Sequence, residues 1–274
     1  MLQFLQFFNK QNEDKSFGEH LDAFRKHLIR IVLAIFSLSI ACFLYKDIIF
    51  DKIIFAPKNP DFITYRLLCL LGNKIHMPDL CIQNFNFTLI NIEIAGQFTT
   101  HIWVSFIAGV VLSFPYIIWE LSRFIKPALY ENELKYTRFF ILFTSILFFI
   151  GIAFGYYIIS PMAVNFLGTY QVSPQVLNTI NLDSYITLVT SSTFLTGVLF
   201  ELPLFSYILT KIGILTPEFM IKYRKHAIVL IIIIAAIITP STDAVTLLLV
   251  SVPLYLLYEL SILVSAKITK RKNN

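Results

Sequence analysis

FTTHIWVSFIAGVVLSFPYIIWEL, residues 98–121, contains no Lys or Arg, and Glu120 is its one carboxylate. A helix needs roughly 20 such residues to cross about 30 Å of hydrocarbon, because in lipid every backbone N–H and C=O must be paired within the segment itself. This run meets that length and decides the class: the chain reads as an all-α integral membrane protein. Five further stretches qualify or nearly do, at 27–45, 139–160, 185–210, 226–239 and 244–266. The expectation is six transmembrane helices in a single membrane domain, 1–274, with a head of residues 1–26 and a tail of residues 267–274.

Composition agrees. The chain is 57% hydrophobic and 14% charged, with a mean hydropathy of +0.72, too little polar surface to coat a soluble globule. The lipid bilayer must cover much of it. A net charge of +5 and a pI near 9.0 raise nucleic acid as a partner. The Lys and Arg residues, however, sit at the edges of the apolar runs and form no aromatic-interleaved basic stripe, so no nucleic-acid partner is expected.

The cations report topology instead, since Lys and Arg are retained on the cytoplasmic side. The head holds Lys10, Lys15, Arg25, Lys26 and Arg30, and the connection after residue 121 holds Arg123, Lys126, Lys135 and Arg138. The connection after residue 210 holds Lys211, Lys222, Arg224 and Lys225, and the tail holds Lys267, Lys270, Arg271 and Lys272. Residues 161–184 and the tight turn at 240–243 contain none. Both termini are therefore expected in the cytoplasm. Loop 46–97 carries Lys46, Lys52, Lys58, Arg66 and Lys74, but long loops cross largely regardless of charge.

Residues 1–8 have no basic region before them and no small-residue cleavage site after them, so a retained amphipathic surface helix is expected there. As a helix, 226–239 covers about 22 Å, less than the hydrocarbon layer. Either the bilayer thins or the ends hide against neighbours; a tilted or longer segment explains it equally well. Cys42 lies in an apolar run, whereas Cys69 and Cys81 share loop 46–97. These two are candidates for a disulfide if that loop faces an oxidising compartment, and two free thiols if it does not.

Glu201 falls deep in 185–210, where a carboxylate costs at least a few kcal/mol unless it is protonated, paired or wetted. It is either a structural hydrogen-bond partner of a neighbouring helix or a polar spot facing a cavity or a partner helix. Pro203 removes a backbone donor close by and opens or bends the helix. Glu259 stands about two turns before Lys267, and Glu120 precedes Arg123 by one turn; snorkelling or a local ion pair is expected for both. Gly151 and Gly155 form G-x-x-x-G, which permits close helix approach. The five histidines show no H-E-x-x-H or similar spacing, and the chain has no P-loop, no G-x-S-x-G and no Gly-rich dinucleotide turn. No metal site, cofactor or catalytic residue is assigned, and the driving force must come from elsewhere.

Two segments expected in the cytoplasm stand out, FGEHLDAFRKHL at 17–28 and FIKPALYENE at 124–133. They resemble the two hallmark motifs of the TatC family, the multi-spanning receptor of the twin-arginine protein translocase. The likeness continues through FGY at 154–156, Ser160 and Pro161, FELP at 200–203, GILTP at 213–217, Thr239 and Pro240 with Asp243, and residues 253–259. It covers almost the whole chain, in order and at matching spacing.

The resemblance implies a multi-pass protein of the bacterial inner membrane, its six helices forming a curved wall with a groove into which Glu201 projects. It implies a receptor and core component that binds the twin-arginine signal peptides of folded precursors. Such a protein assembles with single-span proteins of the TatA and TatB type, as a homo-oligomer or hetero-oligomer, and exports folded proteins on the proton-motive force. By position, Phe124 matches the family's functional Phe, and Glu133 the Glu of its Leu-Tyr-x-x-Glu segment. Arg25 and Leu28 match the Arg and Leu of the His-Leu-x-Glu-Leu-Arg-x-x-Leu motif, and Glu201 matches the intramembrane Glu. Thr239, Asp243 and Glu259 join Glu201 as candidates for an intramembrane polar site or partner contact.

The departures are specific. Ala23 stands where the first motif has Glu, and the nearest acid, Asp22, is turned about 100° around the helix. Leu134 stands where relatives often have a base, which moves to Lys135, and Leu247 where some have Gln. Glu133, Phe124 and Asp22 are the candidates for capturing the arginine pair, because a guanidinium binds a carboxylate through two parallel hydrogen bonds that Lys cannot reproduce. The rival reading is a proton-coupled small-solute transporter with Glu201 as its relay, although no paired inverted halves are found.

Overall fold

The computed structural model describes residues 17–74, 76, 81, 87–125, 137–173, 175, 178–239 and 244–273. The surface helix expected at 1–8, the turn at 240–243 with Asp243, and Glu133 lie outside them.

The apolar runs form helices, as backbone pairing in lipid requires. Helix α1 (Phe17–Leu44) is followed by a π-helical segment (Ile48–Ile54), a 3-10 turn (Ala56–Lys58) and α2 (Ile63–Lys74). Strand β1 (Thr88–Ile90) leads into α3 (Gly96–Ile125). Helix α4 (Thr137–Phe154) passes through a π-helical segment (Gly155–Ile159) into α5 (Ser160–Thr169), and β2 (Thr179–Asn181) precedes α6 (Leu182–Leu199). Then come α7 (Leu202–Lys211), α8 (Pro217–Lys222), α9 (Arg224–Ile238) and α10 (Ala244–Asn273).

Among the described residues, five helical stretches are long and apolar enough to cross a membrane: Leu21–Leu44, Gly96–Phe124, Phe140–Thr169, Leu182–Lys211 and Leu247–Lys270. The stretch at 226–239 becomes α9, with 15 residues, about 22 Å long at 1.5 Å per residue, and does not reach that length. The helix expected to stop at residue 160 instead runs to Thr169. Pro161 falls in the first turn of α5, where its missing N–H is tolerated, and the wider π turn ahead of it makes room for its ring.

Helix α1 packs antiparallel along α3; α3 also touches α4 and α6, and α10 gathers α7, α8 and α9. Lipid tails are as apolar as Leu, so helices associate through small residues that let backbones approach. A Cβ on Gly109 would stand 2.1 Å from Ser39 Oγ and 2.7 Å from its backbone N, which marks where α1 crosses α3. The G-x-x-x-G pair seats α6: Cβ atoms there would fall 2.7 Å from Phe200 Cβ at Gly151 and 2.8 Å from Thr193 Cα at Gly155.

The described residues of loop 46–97 are folded. Strands β1 and β2 pair in parallel, Thr88 opposite Thr179 and Ile90 opposite Asn181. They lie beside a core of Ile54, Phe87, Val104, Val164, Tyr185 and Ile186. The Tyr65 hydroxyl reaches the carbonyl oxygens of Pro57 and Pro161, each at 2.9 Å, and Tyr185 donates to Ile54 O at 2.9 Å. Cys69, in the middle of α2, is joined to Cys81 by a disulfide, while Cys42 is a buried free thiol.

Candidate functional site

The start of α1 and the end of α3 meet in a two-layer contact. Helical spacing puts Phe24, His27 and Arg30 along one side of α1, and Glu120 and Phe124 one turn apart on α3. In the outer layer, the rings of Phe24 and Phe124 meet edge to face with centroids 5.4 Å apart, and His27 meets Phe124 in the same way at 5.9 Å. In the inner layer, Glu120 is completely shielded. Its Oε1 lies 2.9 Å from His27 Nδ1 and accepts a hydrogen bond from Arg30 Nη1 at 3.0 Å. Arg123 Nη1 stands 3.8 Å from Oε2, beyond hydrogen-bonding distance, and its guanidinium lies over the Trp119 ring at 4.9 Å.

Phe124 is thus brought onto α1, while Asp22, Arg25 and Leu28 are exposed along the same helix and Ala23 is half-buried. Glu133 lies outside the described residues. The snorkelling expected as one reading of Glu120 is corrected, and the local ion pair with Arg123 is present but is the longest of its three contacts. The carboxylate turns inward, because α1 offers His27 and Arg30 at a distance no residue on α3 matches. Sequence spacing within one helix could not reveal this pairing across 90 residues or more. The usable signal is the i, i+4 relation of Glu120 to Phe124.

A second polar position interrupts the fourth apolar stretch. Pro203 has no N–H with which to continue the helix, so α6 ends at Leu199 and α7 starts at Leu202. At the break, Glu201 N bonds back to Val198 O at 3.1 Å, the tighter pattern of a helix end. The Glu201 side chain is only 3% exposed, and neither carboxyl oxygen has a hydrogen-bond partner among the described residues. Phe200 before it packs on Phe154 with ring centroids 5.7 Å apart and against α9 and α10 through Ile231, Val250 and Leu254.

Of the other intramembrane candidates, Thr239 and Glu259 find their partners elsewhere. Thr239 is buried and donates back to Ala235 O at 2.8 Å, closing the end of α9. Glu259 is drawn to Arg224 at the start of α9 and not to Lys267, which corrects the local pairing expected on α10. Arg224 Nη2 donates to Oε2 at 2.9 Å, Nε stands 2.9 Å from Oε1, and Tyr255 donates its hydroxyl to Oε1 at 2.6 Å. Arg224 thus hydrogen-bonds one carboxylate oxygen while Tyr255 satisfies the other, a charge-assisted arrangement that draws Glu259 across to α9.

Comparison with known proteins assigns the family. The model of the family described as Sec-independent protein translocase protein (TatC) matches residues 19–253. A protein of Blattabacterium sp. subsp. Periplaneta americana (strain BPLAN), named Sec-independent protein translocase protein TatC, is 41% identical over 266 residues, covering 96% of this chain and 99% of its own. A protein of that name from Helicobacter pylori is 39% identical over 183 residues, 67% of this chain and 72% of its own. A crystal structure of a twin-arginine translocase receptor, TatC, in the detergent DDM superposes with a TM-score of 0.67 at 30% identity, over 90% of this chain and 99% of that one. This chain therefore belongs to the TatC family of Sec-independent protein translocase proteins, and it is a multi-pass inner-membrane component of a translocase and not an enzyme.

Proposed function

We propose that the chain is the receptor of its translocase. It is a single six-span domain with both termini in the cytoplasm, α9 supplying the remaining, short span. The face made by the start of α1, the end of α3 and the segment after it binds signal peptides that carry two adjacent arginines. Phe124 packs the apolar residues beside the pair, and Glu133, with Asp22 as the nearest acid of the first motif, receives the guanidinium groups. At the boundary between water and lipid a carboxylate acts with less screening than in bulk water. The groove beside Glu201 takes the peptide's apolar stretch or the helix of a TatA- or TatB-type single-span partner, and the assembled complex uses the proton-motive force.

The observation that carries this reading is the edge-to-face pairing of Phe124 with Phe24. It presents an aromatic surface at the helix ends where the two motifs meet. The test is capture of a fluorescent precursor by the membrane-inserted protein, with Arg-Arg compared to Lys-Lys in the signal. Capture of the Arg-Arg form alone, abolished by Glu133→Ala at unchanged insertion, is the expected result. Equal capture of both forms removes the receptor reading, and undiminished capture by Glu133→Ala removes that residue from the site.

A further inference from the structure

Counting charge around Glu120 decides first what it does not do. One carboxylate faces two permanent cations, Arg30 and Arg123, and the imidazole of His27. The neighbourhood is net positive, so it repels an incoming guanidinium. Glu120 is therefore no substitute receiver for the acid that Ala23 lacks, although it lies next to Phe124. Its role has to lie in what it holds.

What it holds is the head of an edge helix. Other tight contacts of α1 on α3 lie far down the pair, at Ser39 against Gly109 and at Phe43 stacked on His101 with ring centroids 3.9 Å apart. Phe24 is 15 positions before Ser39, about 22 Å along a helix. Over that length a small pivot at the crossing becomes a displacement of several ångströms at the aromatic pair. The knot at Glu120 lies between, only one turn from Phe24. His27 belongs to both layers: its Nδ1 reaches Glu120 at 2.9 Å while its ring meets Phe124 at 5.9 Å. Charge-assisted hydrogen bonds to a shielded carboxylate are short and directional, so they set rotation as well as distance. Apolar contacts on a helix that packs along one neighbour do not.

We infer that Glu120 is the positioning residue of the recognition face: through His27 and Arg30 it fixes the start of α1 on the end of α3 and thereby sets the Phe24–Phe124 pair. What that pair binds rests on the receptor function proposed for the chain; the positioning itself does not.

Two measurements on the full chain in membranes test it and separate the two claims. In a Cys42→Ala background, Phe24→Cys with Phe124→Cys is oxidised and the remaining thiols are counted by maleimide labelling. Cross-linking is expected with Glu120 present and to fall severalfold with Glu120→Gln. The second measurement is a double-mutant cycle on the affinity for a fluorescent twin-arginine peptide. Phe124→Ala and Glu120→Gln are each expected to weaken binding about tenfold. The double variant should bind no worse than Phe124→Ala, because Glu120 acts through the ring. Unchanged cross-linking, or losses that multiply, overturns the positioning role. Lost cross-linking with unaltered peptide binding in Phe124→Ala leaves the positioning role standing and overturns the receptor site instead. Should Glu120→Gln fail to accumulate, Arg30→Gln, at a half-exposed position, replaces it in both measurements, with the same losses expected and the same outcomes overturning the role.

Discussion

Two glutamates sit in apolar helices of this protein, 0% and 3% exposed, yet they live in opposite circumstances. Glu120, in the last turns of α3, has His27 and Arg30 on one oxygen and Arg123 near the other. Glu201, at the break between α6 and α7, has no hydrogen-bond partner on either oxygen among the described residues. The difference comes from position along the span. Cations are kept at one membrane face and cluster at the helix ends there, so a carboxylate within a few turns of such an end finds partners. One in the middle of Leu182–Lys211 does not. The first carboxylate is held by His27 and two arginines, whereas the second faces no cation among the described residues.

Three substitutions break or sharpen that contrast. Gly109→Ala is expected to have the largest effect, because its Cβ would stand 2.7 Å from the backbone N of Ser39, which cannot rotate away as a side chain can. Separating α1 from α3 is expected to cost about 3 kcal/mol, read as a shift in denaturant-induced unfolding in detergent, and to stretch the Glu120 knot with it. Arg30→Ala comes next. It leaves a shielded carboxylate with His27 as its remaining close partner, and the full cost of stranding a buried charge is discounted here to about 2 kcal/mol because water lies near the end of α3. Unfolding at an unchanged denaturant concentration would show that Arg123 closes the gap and that the knot is redundant.

Glu201→Gln is the smallest. With no charged partner among the described residues to lose, it is expected to alter stability by less than about 1 kcal/mol while reducing export of a twin-arginine precursor. A loss of stability as large as that of Arg30→Ala would mean that Glu201 is as structural as Glu120, and the contrast would disappear.

Much of this architecture was readable from patterning. Residues 98–121 lie within α3, the break at Pro203 follows from a missing N–H, and Gly151 with Gly155 marks a close crossing. Each of these is a property of one segment and its backbone. The continuation of the third helix past Pro161 was not readable, because a π turn ahead of the proline absorbs its ring. Neither were His27 and Arg30 as partners of Glu120, nor Arg224 as the partner of Glu259, since each of these pairs joins two helices. The short-range rule that looks three or four positions along one helix named Arg123 for the first and found no close cation for the second but Lys267.

Sequence alone was enough to show that the chain lives in lipid, where most of its long helices run and which family it resembles. These follow from hydrocarbon thickness, the need to pair the backbone locally, and residue identity at spaced motifs. The packing of the helices decided which buried carboxylate is paired with cations and which is not. That depends on the side chains a neighbouring helix brings within about 3 Å, and no spacing along the chain encodes that distance.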